Sequence, residues 1–193
     1  RSLSSLEAMD ESGPTVLGVF LGCGHSFATL EDLDLDDGRK RRLFLSLLNA
    51  RIMLATLRGI LDFHQKDSTN LDSVYLTKSG TTANFTETLN ESTGSELYHW
   101  AQSLEQTVCE ALDSFMPLSE SRLPGHDSLV VLNTLGTSKV HFNSNPISQR
   151  ILIMLDDIHR LTQKQREWLI DAVLSFRFPV SIWVAERLEA LTV

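Results

Sequence analysis

Three features of this 193-residue chain predict an α/β fold built on a parallel sheet. The first is a run of apolar residues, Ile151-Leu152-Ile153-Met154-Leu155, that ends in two carboxylates, Asp156 and Asp157. An apolar run without alternation is the pattern of a strand buried on both faces, as in sheets flanked by helices. The second is a similar run at 15–21, Thr15-Val16-Leu17-Gly18-Val19-Phe20-Leu21. The third is the succession of strand, helix and strand over 151–185, closing with Val180-Ser181-Ile182-Trp183-Val184-Ala185. Such a unit demands a right-handed parallel crossover.

The length suits one domain with a sizeable core. A hydrophobic content of 42% and a charged content of 22% are ordinary for a globular chain. Residues 2–9 read as the tail of a helix, stopped by Glu11-Ser12-Gly13-Pro14. The strand at 15–21 runs into the loop Gly22-Cys23-Gly24-His25 and then an acidic linker ending at Asp37. Over 38–63, Leu43, Leu47, Leu54, Leu57 and Leu61 recur at helical spacing, and Phe44 and Leu48 widen the stripe. That helix should therefore pack on more than one side.

Between 65 and 95 the composition turns to Thr, Ser, Asn and Gly, the mark of a weakly specified linker or insertion. A helix at 96–115 carries Leu97, Trp100, Leu104, Val108 and Leu112 on one face. Residues 128–135 form an apolar element whose type the pattern leaves open, and 137–149 is polar. After the carboxylate-bearing strand at 151–157 comes a helix at 163–176, with Thr162 as N-cap but no complete capping box expected. The closing strand is 180–185. Trp183 is expected in the core, and Trp100 and Trp168 as helix-face anchors.

Seventeen basic residues against 25 acidic ones give a net charge of −8. That argues against a mainly electrostatic nucleic-acid surface. The run Arg39-Lys40-Arg41-Arg42 is a local exception, read as a charged helix start beside the acidic stretch 31–37. The two cysteines, Cys23 and Cys109, lie far apart without metal-ligand spacing, so free thiols and a cytoplasmic location are expected. No signal peptide is visible and no uniformly apolar run reaches roughly 18 residues, so no membrane contact is expected. The chain opens at Arg1 rather than Met, which suggests a piece of a longer polypeptide.

Ligands of parallel sheets sit beyond the carboxyl ends of the strands, where Asp156 and Asp157 would be placed. Two adjacent carboxylates there repel each other and lose solvation, and Mg²⁺ with phosphate oxygens supplies the counter-charge. In nucleotide hydrolases one such carboxylate orients Mg²⁺ and another acidic group lies beside the attacking water. Asp156 is accordingly expected to hold Mg²⁺ and Asp157 to hold Mg²⁺ and polarise the water. Arg187, just past the next strand, is expected to reach the γ-phosphate, with Glu186 as its alternative local partner. His159, three residues after Asp156, is a candidate for positioning phosphate. The plain structural alternative is a strand end whose carboxylates only cap the following loop.

Gly18, Gly22 and Gly24 do not make a phosphate loop, because no G-x-x-x-x-G-K-[ST] occurs in the chain. Cys23 and His25 as nucleophile and base carry little weight, being two residues apart on one loop. His64, His99, His126 and His141 lack metal-ligand spacing.

The stretch ILIMLDDIHRLTQKQREWL, continued by RFPVSIWVAERLEAL, resembles the Walker B to sensor-1 portion of AAA+ and STAND-type P-loop NTPases, including the replication-initiator-like ATPases of bacteria. LGVFLG and LFLSLLNARIMLATLRGIL are similar to the second strand and following helices of that group. The resemblance covers about the first 65 and the last 50 residues. It implies a three-layer P-loop NTPase core, incomplete at both ends, with ATP and Mg²⁺ as cofactors and Arg187 at the arginine position of the STAND sensor. It further implies in-line attack of water on the γ-phosphate that drives a switch or an assembly step. Self-association or a protein partner, and a role in DNA processing or antiviral defence, follow from the same likeness.

The departure from the family is the missing Walker A loop. Arg1 to Leu6 look like the remainder of the helix that follows it, so this segment alone should bind nucleotide poorly. The lid and the sensor-2 arginine are missing as well. A scaffold that keeps the fold and has lost hydrolysis is the competing expectation. A metal-dependent nuclease would need further converging carboxylates.

Overall fold

The computed structural model describes residues 9–10, 13–14, 16–77, 89, 91–113, 125–136, 139–148 and 150–186. Its strands are Met9–Asp10 (β1), Gly13–Pro14 (β2), Val16–Gly22 (β3), Val74–Leu76 (β4), Val140–Phe142 (β5), Asn145–Pro146 (β6), Arg150–Asp156 (β7) and Ser181–Val184 (β8). Its α-helices are Asp37–Phe63 (α1), Gly94–Asp113 (α2), Val130–Thr134 (α3) and Gln163–Leu174 (α4). The protein is mixed α/β, with a three-stranded parallel sheet in the order β3-β7-β8. β7, which carries the carboxylates, is the middle strand. It lies beside β3 from Val16 opposite Arg150 to Gly22 opposite Asp156, and beside β8 from Leu152 opposite Ser181 to Leu155 opposite Val184.

The expectation of burial on both faces fails. In β3, Leu17 and Val19 are buried while Val16, Gly18 and Phe20 are exposed. β7 alternates buried Ile151, Ile153 and Leu155 with half-buried Leu152, Met154 and Asp156. Among the described residues, helices cover one face only, which makes two layers in place of three. Apolar side chains on both faces suit a strand covered on both sides, but their identity does not say how many sides are covered. Trp183, expected in the core, stands on the open side with 67% of its surface exposed.

α1 organises the covered face. Asp36 starts it by accepting a hydrogen bond from the Arg39 amide at 3.0 Å. Packed against β3, α2, α3 and α4, it is buried over Leu43–Ala50 and again at Ile52, Met53, Thr56, Leu57, Ile60 and Leu61. By length and composition α1 is apolar enough to cross a bilayer, contrary to the sequence expectation, but 72% of its most apolar window is buried inside the protein. That is the burial of a core helix.

The buried Ser46, Asn49 and Thr56 side chains of α1 are each hydrogen-bonded, as buried polar groups usually are. The Thr56 hydroxyl donates to the Ile52 carbonyl at 2.7 Å. Asn49 donates to the Ser128 carbonyl at 2.9 Å and accepts from the Val131 amide at 3.1 Å. The Ser46 hydroxyl oxygen accepts from the His126 amide at 3.0 Å and lies 2.9 Å from that ring's Nδ1. These clamps explain why 128–135, open from its pattern, becomes the short helix α3. The basic run at the start of α1 is likewise tied down. Arg41 pairs with Asp171, Arg42 meets Asp127 at 2.7 Å, and the Lys40 ammonium donates to the Glu31 carbonyl at 2.7 Å.

The weakly specified stretches contain structure that the sequence did not announce. A 3₁₀ turn at Ser68–Ser73 leads into β4, which pairs antiparallel with β5, and β5 pairs with β6. Asn143 and Ser144 both have positive φ, 48° and 70°, as a two-residue type I′ hairpin turn requires. His64 stacks flat on Phe142 with ring centroids 3.9 Å apart. Gly94 permits a close approach, since a Cβ there would lie 2.3 Å from the Leu71 carbonyl oxygen. The expected helix tail at 2–9 is corrected at Met9, which lies in β1; its residues 2–8, most of 78–90 and the end of the 96–115 helix lie outside the described residues.

Asn49→Ala removes both clamps on α3 and leaves buried backbone groups without partners. We expect a loss of about 1–3 kcal/mol of stability, measured as a lower urea midpoint at unchanged m-value.

Burial lowers the His126 pKa below its ordinary 6.5, and burial, with Lys66 as a second cause, lowers that of His64. The unfolded chain therefore takes up these protons more readily. Stability should be complete above about pH 6.5 and fall as the pH drops below it. Urea midpoints measured across that range check this, and His126→Gln should flatten the decline.

Candidate functional site

The carboxyl edge of the parallel sheet gathers Gly22, Cys23, Asp156, Asp157, Ala185 and Glu186. Backbone hydrogen bonds lace it together. The Cys23 amide donates to the Asp156 carbonyl at 2.8 Å, the Ala185 amide to Leu155 at 2.8 Å, and the Ile158 amide to Ala185 at 3.3 Å. Beyond β7 the chain turns sharply because Asp157 adopts φ 58°, ψ 33°. That left-handed conformation is rare for non-glycine residues but tolerated by aspartate. A 3₁₀ turn, Ile158–Arg160, follows.

The two carboxylates have different surroundings. Asp156 lies on the open face of the sheet with Leu152 and Met154, and one of its oxygens accepts the Asp157 amide at 2.8 Å. Asp157 is turned toward the following residues, with its oxygens 3.7 Å from His159 Nδ1 and 3.6 Å from Arg160 Nε. His159 therefore sits beside the carboxylate pair, as its spacing suggested. Arg160 is the neighbour that sequence reasoning missed, although its place three residues after Asp157 was a signal. Arg187 lies outside the described residues. Glu186, its alternative partner, pairs with Arg166 at 3.0 Å.

Behind this rim α4 is anchored at its start. Thr162 and Gln165 form a complete capping box, correcting the expectation, with the Gln165 amide donating to the Thr162 hydroxyl at 3.3 Å and the Thr162 amide to Gln165 Oε1 at 3.2 Å. The buried Gln165 amide group also donates to the Phe27 carbonyl at 2.6 Å. Lys164 meets Asp37 at 2.9 Å, and the Thr162 hydroxyl donates to Glu31 at 3.0 Å.

Cys23 closes the question of a thiol nucleophile. Burial pushes its pKa up to about 11, so it stays protonated near neutral pH. Among the described residues no group of three or more His, Cys, Asp and Glu converges as a metal cage. Mg²⁺ does not need one, because it is commonly held by one or two carboxylates together with water and phosphate oxygens. The Asp156 carboxylate, of hard oxygen character and at the rim, fits that requirement. Asp157 fits less directly, since its charge already faces His159 and Arg160.

The described residues thus define a mixed α/β protein with an acidic pair at the carboxyl edge of its central parallel strand. No protein-family model matches the chain, and neither a curated protein nor a solved structure matches it.

Cys109 is exposed and Cys23 buried. A thiol-titrating disulfide reagent should therefore modify one cysteine of the native protein, slowly because the Cys109 pKa is also raised by burial and by Glu105. Both should react once guanidinium unfolds the chain.

Proposed function

We propose that this chain supplies the carboxylate edge of an ATP-hydrolysing P-loop NTPase of the AAA+/STAND type, acting as a switch or assembly ATPase. The observation that carries the proposal is the pair Asp156-Asp157 at the carboxyl end of a central parallel strand, flanked on both sides by parallel neighbours. Ligands of open parallel sheets bind at that edge. The order β3-β7-β8 also sets the strand preceding Arg187 directly beside the carboxylate strand, so both strand ends open onto one rim.

In this reading Asp156 would hold Mg²⁺ through its carboxylate, and Mg²⁺, when bound, would supply charge neutralisation for the phosphate oxygens. Asp157 accepts a hydrogen bond from the attacking water and thereby aligns it. For that its carboxylate must exchange the long contacts with His159 and Arg160 for the water. Arg187 contributes positive charge toward phosphate, and His159 helps to position it. A phosphate-cradling loop with its lysine does not occur in these 193 residues and would have to come from another part of the protein. DNA processing and antiviral defence are the settings that the sequence resemblance suggests for such a switch.

A second reading has a specific observation in its favour. Asp157 already faces the Arg160 guanidinium at 3.6 Å, with the His159 ring at 3.7 Å, as in a strand end with a purely structural role. On that reading the chain is a non-hydrolysing NTPase-fold scaffold.

Asp157→Asn separates the two. In protein that also carries a lysine-bearing phosphate loop, the first reading expects ATP turnover to fall by at least about a hundredfold while nucleotide binding persists. Phosphate release and binding of a fluorescent ATP analogue measure the two quantities. Unchanged turnover removes Asp157 from the chemistry, and no turnover in the parent protein supports the scaffold.

A further inference from the structure

We infer that the open face of the parallel sheet is a docking surface for a second copy of this chain, stacked face to face with its strands reversed. The surface is apolar where the strands are central. Phe20, Met154 and Trp183 form one cross-strand row, with Phe20 61% and Trp183 67% exposed. Large aromatics held in water on a sheet face mark an interaction site.

The occupant follows from the pattern along the strands. On this face β7 presents Arg150, Leu152, Met154 and Asp156, so it is positive at one end and negative at the other. A two-fold axis lying across the strands at the level of Val19, Ile153 and Ile182 sets each position against its mirror in the second copy. Arg150 then faces Asp156 of the second copy, and Leu152 faces its Met154. The same operation sets Phe20 against Gly18 of the second copy and Trp183 against its Ser181, because Gly18, Leu152 and Ser181 share a row.

At the outer end, Val16 falls against Gly22 of the second copy. Trp183 and Val16 thus meet small residues and opposite charges meet, as a self-complementary two-fold interface requires, while Phe20 meets Gly18 beside the Met154 side-chain end that leans over it. Two sheets packed this way belong to the aligned class, about 10 Å apart.

Arg150 makes no ion pair among the described residues, so its guanidinium is available for this contact. The two aromatics offer on the order of 250 Å² per copy, which places the dimer in the weak, concentration-dependent class. The inference does not rest on the nucleotide reading and competes with it for Asp156, which in the dimer faces Arg150 and not Mg²⁺; its test contains no nucleotide.

Sedimentation equilibrium of the 193-residue chain over a range of concentrations should show a monomer–dimer equilibrium. Trp183→Ser should weaken it by roughly thirtyfold, the effect of losing one anchoring aromatic. Arg150→Asp and Asp156→Arg should each weaken it. The double variant should recover the parent affinity, which only residues that meet across the interface can do. Circular dichroism establishes that each variant is folded.

A monomer at all concentrations overturns the proposal and leaves the face to another part of the polypeptide or to a different protein. A dimer indifferent to Trp183→Ser, or one that the double charge exchange does not restore, overturns it as well.

Discussion

Burial of α1 against β3 on one side and α2 on another is the constraint on which the remaining structure depends. A helix buried on several sides has to satisfy any polar group it carries, and α1 carries Ser46, Asn49 and Thr56 in its interior. Two of these reach across to residues 126–131 and fix the segment that becomes α3. Arg51 extends the same logic to the edge of the core. Its guanidinium lies 4.5 Å over the Phe27 ring while Nε donates to Glu105 on α2 at 2.9 Å. Helix α1, the 3₁₀ segment His25–Asp32 that carries Phe27 (a stretch the sequence pattern left as loop and acidic linker) and helix α2 are thereby held together, and the parallel sheet rests on that platform.

The carboxyl rim depends on this platform at one remove. Phe27 packs edge to face on Phe44 of α1, with centroids 5.6 Å apart, and Phe44 in turn faces Trp168 of α4. Gln165 then binds the Phe27 carbonyl, so the start of α4 and the segment after β3 are one unit. Asp157 sits between that unit and the end of β7. Its left-handed backbone makes the turn possible, and the same turn directs its carboxylate toward His159 and Arg160.

Legibility followed the length of the periodic signal. Long apolar runs and a helical stripe spread over many residues placed β3, β7, α1 and α4 near their observed bounds, because side-chain spacing and backbone period agree there. Strands of two or three residues carry no such period, and β4, β5 and β6 were hidden in stretches read as polar linker. An Asn-Ser turn is a weaker hairpin signal than Asn-Gly. Side-chain type could not reveal which sheet face is covered, which is why Trp183 was misplaced. At the rim, the acidic pair was visible from its position after the apolar run. The unequal fates of Asp156 and Asp157 were not, since they turn on one positive φ.

The lashing of α4 has a mechanical consequence. Because Thr162, Lys164 and Gln165 fasten its first turn to Glu31, Asp37 and Phe27, the short bend holding His159 and Arg160 has little slack at its far end. At its near end it is pinned by the amide of Ile158 on Ala185. Prising Asp157 away from its two basic neighbours would therefore strain a bend tethered at both ends. Any such displacement would reach the strand bearing Trp183 along the Ala185 tether and α4 along the other, making the corner a lever rather than a hinge.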